Sequence, residues 1–171
     1  MNTMKTIGIE KVTLNIGAGK DQTRLEKAVM LLKHITSGTP IKTITQKRLQ
    51  EWGLRPGLPI GCKITLRKRR ALELLPRLIE SKDKKLLPSQ FDNNGNVSFG
   101  IHEYIDIPGV KYDPKIGILG LEVCVTLERP GFRIKKRQYL QKKIPLRHKI
   151  SREEAISFMK SNFNVALEEE Q

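Results

Sequence analysis

Apolar and polar positions alternate most cleanly in Lys11-Val12-Thr13-Leu14-Asn15-Ile16. Val12, Leu14 and Ile16 share one face of an extended chain, and Lys11, Thr13 and Asn15 share the other. That pattern predicts a half-buried strand, ended by Gly17-Ala18-Gly19. The period then changes to that of a helix. Leu25, Val29, Leu32 and Ile35 fall on one side, Thr23 and Glu26 are spaced as a capping box, and Ser37-Gly38-Thr39-Pro40 is the stop. A short strand is expected over Ile41–Thr45. The segment Gln46–Gly61 is basic, is broken by Gly and Pro, and holds the lone Trp52; it reads as a long loop. Alternation returns in Cys62–Arg67, whose polar side carries Lys63, Thr65 and Arg67.

The remaining elements follow the same logic. A helix is predicted from Lys68 to Ser81 with Ala71, Leu74, Leu75 and Leu78 inward; Pro76, lacking an amide hydrogen, is a candidate kink. Asp92-Asn93-Asn94-Gly95 is a turn leading into a strand over Val97–Ile101. Leu119, Leu121, Val123, Val125 and Leu127 alternate with Gly120, Glu122, Cys124 and Thr126, and Pro130-Gly131 breaks that strand. A last helix is capped by Ser151 and Glu154, with Ala155, Phe158, Met159 and Phe163 as its apolar stripe. Strands buried on both faces would read as continuous apolar runs, whereas every clear strand here is one-sided. The expectation is therefore an α+β fold: a mostly antiparallel sheet with helices packed on one face and the other face open. With no repeats and no low-complexity linker, residues 1–171 read as a single domain with a basic stretch at 129–149 and a terminal helix.

Charge changes this picture most. Lys and Arg number 32 against 18 Asp and Glu, a net charge of +14, so a folded chain of 171 residues needs a polyanionic partner. No basic amphipathic helix with bulky apolar anchors is present, and no apolar run nears the roughly 20 residues that cross a bilayer, so nucleic acid is preferred to membrane. The charge is uneven. Arg129, Arg133, Lys135, Lys136, Arg137, Lys142, Lys143, Arg147 and Lys149 follow one another without an acid, and Arg67-Lys68-Arg69-Arg70 forms a second cluster. The stretch from Phe91 to Glu128 is mildly acidic, as is the end, Glu168-Glu169-Glu170.

Catalytic chemistry is poorly supported. His34, His102 and His148 stand in unrelated contexts, and Cys62 and Cys124 have neither metal-ligand nor disulfide-framework spacing. No HExxH or GxSxG occurs, and Gly17-Ala18-Gly19 lacks the third glycine of a dinucleotide fingerprint. Neither an enzyme nor a cofactor is expected. An open face bearing Lys, Thr and Asn suits RNA backbone and 2′-hydroxyl groups as well as it suits plain solvation, and no DNA-binding helix motif is present.

Three segments, in order and at fitting spacing, resemble the universal large-subunit ribosomal protein family number five. They are Ile9-Glu10-Lys11-Val12-Thr13-Leu14-Asn15-Ile16-Gly17, Pro59-Ile60-Gly61-Cys62-Lys63-Ile64-Thr65-Leu66-Arg67, and Ser89-Gln90-Phe91-Asp92-Asn93-Asn94-Gly95-Asn96-Val97-Ser98-Phe99-Gly100. Arg129-Pro130-Gly131-Phe132-Arg133, Ile144-Pro145 and the last helix look like the archaeal and eukaryotic branch, and with the short chain the resemblance implies an archaeal-type protein. The resemblance implies a cytoplasmic ribosomal protein that binds 5S ribosomal RNA in the central protuberance. Asn15 and Thr65 match positions that contact this RNA, and Thr39 falls where bacterial members often carry Gln. Lys63 and Arg67 are added as neighbours on the same strand. Loop 46–60 matches the one that reaches the peptidyl-site tRNA, with Lys47, Arg48 and Arg55 as the expected phosphate contacts. Arg129, Arg133, Lys135, Lys136, Arg137, Lys142 and Lys143 are expected on RNA backbone. Large-subunit ribosomal RNA, neighbouring large-subunit proteins and, across the subunit interface, the small subunit complete the implied partners.

Overall fold

A computed structural model describes residues 2–168; Glu169 and Glu170 of the acidic end lie outside them. In chain order the regular elements are β1 (Gly8–Gly17), α1 (Gln22–Thr36), β2 (Ile41–Ile44), β3 (Pro59–Arg67), α2 (Lys68–Glu80), β4 (Lys85–Leu86), β5 (Val97–Ile101), β6 (Leu121–Glu128), α3 (Arg152–Phe163) and β7 (Ala166–Leu167). Five strands form one antiparallel sheet in the order β2-β3-β1-β6-β5, and β4 pairs with β7 in a separate parallel ribbon. The fold is α+β. No described helix is long and apolar enough to cross a membrane. The chain divides into two compact units. One takes the N-terminal segment through Val12, Arg67–Phe99 and the chain from Cys124 onward; the other takes Thr13–Leu66 and Gly100–Val123.

Within the second unit, Leu14 and Ile16 of β1 and Cys62, Ile64 and Leu66 of β3 are buried, while the residues between them turn away. α1 buries Leu25, Ala28, Leu31, Leu32 and Ile35. A fully buried leucine contributes about 1.5–3 kcal/mol, so this row decides which way the strands face. The start of α1 differs from the expected Thr23/Glu26 box. Asp21 is the cap: its Oδ1 accepts from the amides of Thr23 (2.9 Å) and Arg24 (3.3 Å) and from the Thr23 hydroxyl (2.7 Å). The Thr23 hydroxyl bond above all, then the Arg24 amide, holds the Asp21 carboxyl below its ordinary value. Ser37 ends the helix in the left-handed region, at φ 51°. Gly61 permits a close approach, because a Cβ there would lie 2.7 Å from the Ile16 carbonyl oxygen and 3.0 Å from Thr43 Oγ1.

The first unit has its own core. α2 buries Ala71, Leu74, Leu75, Leu78 and Ile79, and continues unbroken through Pro76, which lies on the exposed side. Its missing amide therefore orphans no buried carbonyl. α3 starts with the predicted capping box, Ser151 and Glu154 each accepting from the other's backbone amide. Its Ala155 and Met159 are buried, whereas Phe158 and Phe163 are half-buried and meet edge to face at 6.4 Å. The ribbon of β4 with β7 has too few residues to carry a periodic signal, so sequence patterning does not predict it.

Candidate nucleic-acid interface

The polar side of β3 is built by strict alternation. Cys62, Ile64 and Leu66 are buried, so Lys63, Thr65 and Arg67 project to the opposite side and are exposed. Among the described residues neither Lys63 nor Arg67 has a carboxylate within ion-pair distance. Thr39, between α1 and β2, is also exposed. Asn15 is more constrained. It points away from the core but is half-buried, and its Nδ2 donates to Glu122 Oε2 at 3.2 Å. Sequence patterning does not single out Glu122 as part of this face. Its place in the alternation of β6 shows which side it takes, but not that β6 lies next to β1.

The loop after β2 is better ordered than its composition suggests. Leu49 and Leu54 exchange backbone hydrogen bonds (2.9 and 3.1 Å) around a turn closed by the Gly53 amide on the Gln50 carbonyl at 3.0 Å. At its base, the backbone of Thr45 donates to Leu58 and accepts from Gly57, both at 2.9 Å. Leu54 is 6% exposed and anchors the loop, whereas Trp52 is 67% exposed at its far end. Lys47, Arg48 and Arg55 are all exposed.

In the first unit, the basic stretch divides in two. Arg129 departs from the expected exposed contact: it is 5% exposed, and its guanidinium donates to the His148 carbonyl (3.4 Å), the Lys149 carbonyl (3.2 Å) and Glu154 Oε1 (2.6 Å). It ties the two ends of the stretch to the first turn of α3. Glu154 responds to these neighbours. Its bond from the Ser151 amide, then its contacts with Arg129, hold its carboxyl below the ordinary value against an opposing effect of burial. Lys136 pairs with buried Glu10 and lies 3.8 Å from Glu128, while its side chain stays 46% exposed. Arg133, Lys135, Arg137, Lys142 and Lys143 stay exposed. Arg137 donates to the Leu140 carbonyl (2.7 and 3.0 Å), and Lys135 lies 5.2 Å from the centre of the Phe132 ring. In the 67–70 cluster, Arg69 pairs with Glu73 one turn along at 2.6 Å.

Among the described residues no three His, Cys, Asp or Glu side chains converge to hold a metal. Burial pushes the Cys62 thiol up to about 11, the reverse of what a nucleophile needs. The surface offers exposed cations, hydroxyls and amides on a hydrogen-bonded strand and turn, which suits binding.

Comparison with known proteins agrees. Residues 2–55 match the profile described as "Ribosomal protein L5", and residues 59–158 match the profile for the C-terminus of the same ribosomal family. The protein called "Large ribosomal subunit protein uL5" of Sulfolobus acidocaldarius is 48% identical over 97% of this chain and 93% of its own length. Its counterparts in Methanobrevibacter smithii and Sulfurisphaera tokodaii are 47% and 46% identical, over 96% and 99% of this chain and 97% and 96% of their own lengths. With both profiles matched in order and the similarity running nearly end to end, the chain belongs to the ribosomal protein L5 family.

Proposed function

We propose that this member of a ribosomal family is a non-catalytic scaffold of the large subunit that docks on 5S ribosomal RNA in the central protuberance. The observation that carries this reading is the outward row Lys63, Thr65 and Arg67 on β3, exposed and without an acidic partner among the described residues. Two cations there would neutralise phosphates while the hydroxyl serves a phosphate or a 2′-OH. Asn15 and Thr39 would add neutral polar contacts. The Asn15–Glu122 pair sets a limit to this surface, since a carboxylate repels a phosphate. The RNA backbone is therefore expected over β3 and β1 and away from β6.

The loop over 46–60 is the proposed contact with the peptidyl-site tRNA. Exposed Lys47, Arg48 and Arg55 would meet phosphates, beside a turn closed by the Leu49–Leu54 backbone bonds. Arg133, Lys135, Arg137, Lys142 and Lys143 would lie against ribosomal RNA. Neighbouring large-subunit proteins, and the small subunit across the interface, are further proposed contacts.

The test is 5S RNA affinity over a salt series, with a generic RNA duplex of equal length as comparator. Each neutralised phosphate contributes a slope of about −0.7 to −0.9 in log K against log salt. A steep slope with clear preference for 5S RNA is expected. A flat response, or equal affinity for the duplex, rules the reading out.

A further inference from the structure

A groove of about 690 Å³ opens in the first unit between the Asp92–Asn96 turn and the basic stretch. Buried Leu127, Phe132 and Ile150 contribute apolar lining, and the exposed Leu146 side chain extends it. Lys135, Lys143 and Lys149 also line it, all three exposed; none of the described acidic residues does, although Asp92 bonds the lining Asn94 and Asn96. The volume falls in the range of about 300–1,000 Å³ typical of small-molecule sites.

The turn beside it is firmly built. Asn94 Nδ2 and Asn96 Nδ2 both donate to Asp92 Oδ2, at 3.3 and 3.2 Å, which fixes the two carboxamides and leaves their carbonyl oxygens as acceptors. Gly95, at φ +78°, lies so near Ile150 that a Cβ would come within 2.6 Å of its Cγ2, so the turn is seated on the residue that lines the groove. Cations with apolar lining would suit either a nucleotide or an acidic peptide. The net charge of +14 and the ribosomal family favour the nucleotide, and the amide oxygens are compatible with it. They can accept from the exocyclic amines of a nucleobase, and from the ring N–H of guanine or uracil.

We propose that this groove receives a single unstacked nucleotide of the bound RNA, its base against Phe132 and Leu146 with its edge toward Asn94 and Asn96, and its phosphate among Lys135, Lys143 and Lys149. This deepens the RNA-scaffold reading and rests on it. Unstacked bases in loops and bulges are what proteins read in RNA, because the deep groove of an A-form helix is closed to side chains. The groove thus adds a base-recognising point to a surface that otherwise meets backbone.

The experiment is a nuclear magnetic resonance titration of the full chain with the four nucleoside 5′-monophosphates. Inorganic phosphate and a short acidic, leucine-containing peptide serve as comparators. Saturable shifts are expected at the Asn94 and Asn96 side-chain amides and the Ile144 and Leu146 methyls with at least one monophosphate. Leu146→Asp, at an exposed position that spares the fold, should weaken that binding roughly tenfold. Equal shifts with inorganic phosphate, saturation by the peptide alone, or silence at these groups overturns the proposal. Parallel 5S RNA binding separates the two levels. Wild-type affinity with a silent groove removes the groove alone, and loss of RNA binding altogether removes the parent reading.

Discussion

Two basic regions of this protein use cations in opposite ways. On β3, Lys63 and Arg67 sit at alternate positions of a strand whose other face is core, so both are exposed. In the 129–149 stretch, nine cations follow one another without an acid, yet Arg129 is buried and Lys136 is drawn to Glu10 and Glu128. Strand periodicity ties each side chain to a face, whereas an irregular basic run carries no such tie. Charge density alone therefore overstates the contact surface: some of those cations hold the fold.

The largest test of this contrast is Arg129→Ala. It strips two carbonyls and one carboxylate of their donor and leaves a void, for which about 3 kcal/mol of stability should be lost. Arg133→Ala, four residues on and exposed, should cost under about 0.5 kcal/mol. Equal thermal midpoints for the two variants would erase the distinction. Next in size is the loop. Leu54→Ala should cost about 2–3 kcal/mol, while Trp52→Ala should leave stability nearly unchanged, because only Leu54 is buried. Should Trp52→Ala be the costlier change in chemical denaturation, the anchoring role belongs to Trp52.

A smaller contrast lies within the polar face itself. Thr65→Ala removes an exposed hydroxyl and should be stability-neutral, whereas Asn15→Ala breaks its bond to Glu122 and should cost about 0.5–1.5 kcal/mol. Both should weaken 5S RNA binding. An Asn15 variant as stable as wild type would show that the Glu122 bond contributes nothing to the fold.

The same contrast explains what is legible in the sequence. β1, β3, β5 and β6 can be read because a half-buried strand must alternate, and the Ser151/Glu154 box because its two side chains act over three residues. Lys63, Thr65 and Arg67 can be placed on a face for that reason. Three features depend on neighbours distant in sequence and leave no local signal. These are the Asn15–Glu122 contact, the removal of Arg129 into a bonded site, and the seating of the Asn94–Asn96 turn beside a groove. The cap of α1 escapes for a local reason: Asp21 accepts the Thr23 hydroxyl, so Thr23 is itself held by the true cap.

The smallest expected effect probes whether the Arg129 site is electrostatic or merely steric. Glu154 has its carboxyl held low first by the Ser151 amide and then by Arg129, so the folded form gives up its proton more readily than the unfolded chain. Stability from that carboxylate is complete above the unfolded value and fades as pH falls through the lower folded one. Glu154→Gln removes the charge and leaves one oxygen for the two donors, Arg129 and the Ser151 amide, so it should lower the thermal midpoint near neutral pH. As the pH falls through and below the ordinary carboxylate range the two proteins should converge, because the wild-type carboxylate becomes protonated. A gap unchanged by acid would mean that hydrogen-bond geometry, independent of charge, holds the basic stretch to α3.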